Sequence, residues 1–272
     1  DLNMHHPQVQ DQVLAEMKFW LEKGVAGFRF DACNHIFQDP LLRNNPPRDD
    51  SSNALHPYGF QVHLYDQGRP EMLPFVERIR ALLDRYGAYS LAEVGGHDPI
   101  KLMGDYTGAK RLHSAYSFAL MTPDSSAAHA RRVISTLEEA IKAPATPCYA
   151  LSNHDKARVA TRWQKGRDRD RTVRQNLALL FAMKGDICMY QGEELGLPEA
   201  EVPFERLQDP FGITFWPKFK GRDGCRTPMP WNSRPHGGFT TAEPWLPVDS
   251  LHRELNVETQ DAGPGSVLNF AR

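Results

Sequence analysis

Gly27-Phe28-Arg29-Phe30-Asp31 reads as a buried strand that ends in an acid. Arg29 and Asp31 are two residues apart, so on a strand both side chains point to the same side. An amphipathic stretch ending at Gly24 precedes the run, and a loop rich in Asn, Pro and Asp follows it. In α/β enzymes a carboxylate at the carboxyl end of a buried strand is a frequent place for a reactive acid. Taken by itself, the run fits a structural ion pair equally well.

The pattern around it repeats. Pro7 suits a first helical position, and Val9, Val13, Met17 and Trp20 lay an apolar stripe along one helix face. The strand Val25 to Asp31 follows, then a loop of about 35 residues to Arg69, far longer than the usual connection. Pro70 to Tyr86 reads as a helix, and Tyr89 to Val94 as a strand closed by Gly95-Gly96. Further on, Arg111 to Met121 is expected as strand and Ala127 to Lys142 as helix. Pro147 to Ser152 is again strand, Arg171 to Lys184 helix and Asp186 to Tyr190 strand. Residues 195–247 are rich in Pro, Gly and Trp with little periodicity, and read as a structured excursion.

Strands alternating with helices imply a parallel sheet with right-handed crossovers. Acids stand at the carboxyl ends of four of these strands: Asp31, Glu93, Asp155, and Glu193 with Glu194. No strand is followed by GxGxxG or GxxxxGK[ST], which argues against a nucleotide-binding doubly wound sheet. The expected fold class is therefore α/β, a partial (β/α)8 TIM barrel with about strands 4 to 8 present. Five strands do not close such a barrel, so the reading expects the first strands ahead of Asp1. Residues 1–250 are assigned to the C-terminal part of this barrel, and residues 251–272 to its last segment, leading to a C-terminal β domain beyond the chain.

Composition narrows the function. The 272 residues, 40% hydrophobic and 10% aromatic, suit a globular chain. A net charge of −2 leaves no electrostatic footprint for nucleic acid or anionic membrane, and no apolar run is long enough to span a bilayer. The four cysteines, Cys33, Cys148, Cys188 and Cys225, have no CxxC spacing, which speaks against zinc or dithiol chemistry and slightly favours a reducing compartment. His5, His6 and His154 show no metal-ligand spacing, so no metal site is expected among these residues.

Glycoside hydrolysis needs two carboxyl groups, one as nucleophile or base and one as proton donor. Asp31, Glu93 and Asp155 lie on successive candidate strands and together supply that chemistry. Taken singly, Glu93 also reads as a solvated loop residue, and Asn153-His154-Asp155 as a helix cap.

Gly27-Phe28-Arg29-Phe30-Asp31, Ala92-Glu93-Val94 and Ser152-Asn153-His154-Asp155 resemble, in order and approximate spacing, three motifs of the α-amylase family of glycoside hydrolases (family 13). Asp1-Leu2-Asn3 is similar to the family's short motif ahead of the nucleophile strand, and Gly185 to Glu194 to its last-strand motif. Arg222-Asp223-Gly224-Cys225-Arg226-Thr227-Pro228-Met229-Pro230-Trp231 resembles a stretch of the α-glucosidase and oligo-1,6-glucosidase group.

The resemblance implies that Asp31 is the nucleophile, kept ionised by Arg29, that Glu93 is the general acid/base, and that Asp155 holds sugar hydroxyls beside His154. It implies Arg222, with Arg226 as the lesser candidate, as the residue gripping the non-reducing glucose. The expected activity is a retaining, exo-acting α-glucosidase on maltose-like substrates; Ala32, after the nucleophile, leans towards α-1,4 over α-1,6 linkages. A transglucosidase or isomerase, an oligo-1,6-glucosidase, and a non-catalytic hydrolase-like subunit are the alternatives. The expected partner is a small oligosaccharide or disaccharide, with no required cofactor beyond a structural calcium or magnesium ion in a region ahead of Asp1. The expected compartment is cytoplasmic, with periplasmic as the alternative.

Overall fold

A computed structural model describes residues 2–51 and 54–272. Asp1, the first residue of the short N-terminal motif, lies outside the described residues. The rest fall into two compact units. One comprises the chain up to Ala119 together with Ala130–Tyr149 and Lys184–Asp186; the other comprises Leu120–His129, Ala150–Met183 and Ile187–Arg272.

The first unit is built on a sheet of strands β1 (Gly27–Phe30), β2 (Tyr89–Val94), β3 (Ser114–Ser117), β4 (Thr146–Tyr149) and β5 (Asp186–Ile187), in spatial order β1-β2-β3-β4-β5. Strands β1 to β4 pair in parallel. Helix α1 (Pro7–Glu22) has Pro7 in its first turn and buries Met17 and Leu21. Helix α2 (Met72–Asp84) buries Met72, Phe75, Val76, Ile79, Leu82 and Leu83, so its apolar face supplies much of this unit's core. Ala92 and Val94 on β2 and Ala115 on β3 are fully buried.

Register positions the acids. Arg29 on β1 pairs with Leu91 on β2, so the residues two further along, Asp31 and Glu93, leave neighbouring strands at the same level. Glu93 in turn pairs with Tyr116 on β3. The backbones of β1 and β2 approach so closely at Gly27 that a β-carbon there would lie 2.4 Å from the Tyr89 carbonyl oxygen. Glycine is therefore required one turn of the pleat before the functional run.

Several elements are shorter than the sequence predicts. β1 stops at Phe30, β3 occupies only the centre of Arg111–Met121, and β5 is two residues long. Helix α3 (Pro99–Tyr106) was not expected: Asp98 caps it by accepting from Lys101 N at 3.2 Å, and Pro99 opens it.

The second unit contains α5 (Val159–Arg162), α6 (Arg169–Ala182) and the long excursion; α4 (Ala127–Ala140) begins in it and runs into the first. Asp168 caps α6 by accepting from Arg171 N at 2.8 Å. Its core gathers Ala160, Val173, Leu177 and Val267, with further clusters around Leu195 and Val202. The excursion is ordered by short elements, among them α7 (Pro210–Phe215) and a 3-10 turn at Asp223–Cys225. Buried Arg158 ties it down, donating from Nη1 to Gln191 O at 2.7 Å and from Nη2 to Cys225 O at 3.1 Å. Cys33 and Cys225 are buried as free thiols.

Candidate active site

In the first unit the sheet presents two carboxyl groups to one guanidinium. Arg29 Nη1 donates to Asp31 Oδ1, and Nη2 donates to Glu93 Oε2. Nη2 also donates to the Tyr116 hydroxyl at 2.9 Å, and that hydroxyl donates to Glu93 Oε2 at 2.7 Å. Burial works against the charge on Arg29, but its hydrogen bonds to Tyr116 and Asp31 and the nearby Glu93 outweigh it and raise its pKa above the ordinary arginine value. Arg29 is thus a permanent cation.

The two carboxyls differ in environment. The Asp31 side chain is 74% exposed, whereas that of Glu93 is 6% exposed. Ala32, directly after Asp31, has φ 41° and ψ 46°, the left-handed conformation that β-carbon crowding disfavours. That turn lets the chain leave the strand at once, so the Asp31 carboxylate stands clear of its own backbone. Asn34 then accepts from Gly95 N at 3.0 Å, linking the loop after Asp31 to the turn after Glu93.

In the second unit Asp155 is held by two arginines. Its Oδ1 accepts from Arg222 Nη1 at 3.0 Å and from Arg226 Nη2 at 2.8 Å. Arg226 Nε donates to the His154 carbonyl at 2.7 Å, and His154 Nε2 lies 3.6 Å from Asp155 Oδ2. Asn153 Oδ1 accepts from Asp155 N at 2.9 Å and shapes the turn, so Asp155 is not a helix cap; α5 begins after Arg158. Arg222 is itself gripped by Asp209, which accepts from Nε at 2.9 Å and from Nη2 at 3.0 Å. That two-pronged hydrogen bonding holds the Asp209 carboxyl below the usual carboxylate range and, with Asp155, raises Arg222 above the usual arginine value.

The expected site residues therefore fall into two sets: Arg29, Asp31 and Glu93 in the first unit, and His154, Asp155, Arg222 and Arg226 in the second. Two residues of these clusters were missed by sequence reading. Tyr116 lies in a run, Ser-Ala-Tyr-Ser, with no acid to mark it. Asp209 carries a signal, since Asp-Pro is a helix start and Asp209 also accepts from Phe211 N, but nothing in the sequence pairs it with Arg222.

Glu193 and Glu194, read from the sequence as standing at a strand's carboxyl end, lie instead in the turn beyond β5 and serve their own loop. Glu193 Oε2 accepts from Tyr190 N at 3.0 Å and Glu194 Oε2 from Gly192 N at 2.8 Å. Burial pushes the Glu193 carboxyl up to about 7. Among the described residues, no group of three or more His, Cys, Asp or Glu side chains is gathered as metal ligands would be. Nor is any helix among them long and apolar enough to cross a membrane.

The model of the α-amylase catalytic domain matches residues 1–272. The chain belongs to the α-amylase family. It is 45% identical to a probable alpha-glucosidase of Rhizobium meliloti, over all of this chain and 51% of that protein. It is 28% identical to the oligo-1,6-glucosidase of Parageobacillus thermoglucosidasius, over 99% of this chain and 53% of that protein. Among solved structures, an alpha-glucosyl transfer enzyme, XgtA, superposes with a TM-score of 0.93 at 48% identity, covering 99% of this chain and 51% of that one. The chain thus spans about half the length of the curated relatives it matches. The barrel expected from the sequence is this family's catalytic fold, and the parallel sheet is the chain's part of it.

Proposed function

We propose that the protein of which this chain is a part is a retaining α-glucosidase that removes terminal α-1,4-linked glucose from short oligosaccharides. The observation carrying this reading is the single Arg29 guanidinium shared by Asp31 and Glu93. Retaining chemistry needs two carboxyl groups about 5–5.5 Å apart, one ionised and one protonated. A shared guanidinium keeps two carboxyls close, and one cation neutralises only one of them. The exposed Asp31 is the nucleophile, attacking the anomeric carbon; the buried Glu93 gives its proton to the departing oxygen and then takes one from water. Asp155, fixed by Arg222 and Arg226, is the acceptor for sugar hydroxyls in this reading. The linkage preference rests on Ala32, whose left-handed backbone suits a small side chain better than a β-branched one.

A second reading, transfer of the glucosyl group to a sugar rather than to water, is supported by the similarity to the alpha-glucosyl transfer enzyme. It uses the same first half-reaction, and product analysis at high maltose separates the two.

The test is Asp31→Asn in the full-length polypeptide, assayed on an aryl α-glucoside. The expected loss in kcat/KM is about 10⁴-fold, as for removal of a covalent nucleophile. Activity within tenfold of the parent contradicts the assignment.

A further inference from the structure

Tyr116 is 3% exposed, and its hydroxyl sits between Arg29 and Glu93. Its single proton has a determined direction. Arg29 Nη2 can only donate, so the Tyr116 oxygen accepts from it and the phenolic hydrogen points to Glu93 Oε2. Glu93 Oε2 therefore receives two donors, one from Arg29 and one from Tyr116. A protonated carboxyl has one hydroxyl oxygen and one carbonyl oxygen, and the doubly hydrogen-bonded atom is the acceptor.

We propose that Tyr116 is a positioning residue for the acid/base of the proposed glucosidase: it keeps Glu93 Oε2 an acceptor and so leaves Oε1 as the oxygen that carries the transferable proton. This rests on Glu93 being the proton donor. In the first half-reaction the Oε1–H bond breaks as its proton passes to the glycosidic oxygen. That oxygen leaves the anomeric carbon with the bonding pair, and an Asp31 oxygen bonds to the carbon. In the second, a water oxygen attacks the anomeric carbon, the Asp31–carbon bond breaks, and the water's proton returns to Oε1. Tyr116 keeps its own proton throughout, and burial together with the Glu93 charge raises its pKa further from the working range of the site.

A hydroxyl that merely fills space would affect all substrates alike. A hydroxyl that places the acid's proton matters only where the leaving group needs that proton. The experiment compares Tyr116→Phe with the parent, both full length, by kcat/KM on maltose and on a dinitrophenyl α-glucoside, whose phenolate departs unprotonated. The expected loss is about ten- to hundredfold on maltose and within about twofold on the dinitrophenyl substrate. The companion measurement is Tyr116→Phe introduced into Glu93→Gln, where no proton remains to be placed and no further loss on maltose is expected. Equal losses on both substrates, no loss on maltose, or full additivity with Glu93→Gln would each overturn the assignment of Tyr116. A parent inert on both substrates would instead bring down the glucosidase reading, and this inference with it.

Discussion

The two carboxylate clusters are built on opposite charge balance. In the first unit one guanidinium, Arg29, meets two carboxyls, Asp31 and Glu93. In the second unit two guanidinia, Arg222 and Arg226, meet two carboxyls, Asp155 and Asp209. Two cations beside two carboxyls balance charge pair for pair, whereas one cation between two carboxyls leaves that cluster one positive charge short. The difference teaches which cluster is suited to proton transfer and which to binding. Exposure also separates the two carboxyls of the first cluster: Glu93 is buried and Asp31 is open, and in the proposed reading they are the acid/base and the nucleophile.

The comparison is most severely strained by neutralising one acid from each side in the full-length protein. Glu93→Gln should lower kcat/KM on maltose about 10²–10⁴-fold while sparing a substrate with a dinitrophenyl leaving group. Asp155→Asn should lower both to a similar extent, because a lost contact to sugar hydroxyls does not depend on the leaving group. If the two variants share one leaving-group profile, the division between the clusters fails.

A smaller effect sharpens the second cluster. Asp209 is fully buried and Arg222 is 30% exposed. Removing a buried carboxylate from its cation costs about 3–5 kcal/mol when both are enclosed, and with Arg222 partly wet Asp209→Asn should cost about 2–3 kcal/mol in denaturant unfolding. Because Asp209 is held below the usual carboxylate range, its contribution is present above pH ~4 and fades as pH falls through the depressed folded value. The deficit of Asp209→Asn should therefore narrow in acid. A deficit that widens there would show that Arg222 does not stabilise the Asp209 anion.

Much of this arrangement was legible in the sequence. Strand and helix signals located the five strands and helices α1, α2, α4 and α6, and Asp31 and Glu93 stand at the carboxyl ends of β1 and β2, whereas Asp155 stands in a turn beyond the end of β4. Strand lengths were not legible, because where a ladder stops depends on what its neighbours offer as hydrogen-bond partners. Helix α3 was hidden because its start at Asp98-Pro99 lies just past Gly95-Gly96 and its helical run is short. Tyr116 and Asp209 were missed for a common reason. Each acts through a partner far along the chain, Tyr116 across the register of β2 and β3 and Asp209 through a fork to Arg222 in the excursion. Such pairings are set by the folded backbone and leave no periodic trace.

The central claim is that the first cluster performs covalent chemistry at Asp31. Incubating the full-length protein with a 5-fluoro-α-glucosyl fluoride, digesting it and mapping the labelled peptide by mass spectrometry tests that claim most directly. The added fluoroglucosyl mass should fall on the peptide containing Gly27-Phe28-Arg29-Phe30-Asp31, at Asp31 itself, with parallel loss of activity. A label on Asp155, or inactivation with no covalent sugar on Asp31, would contradict it.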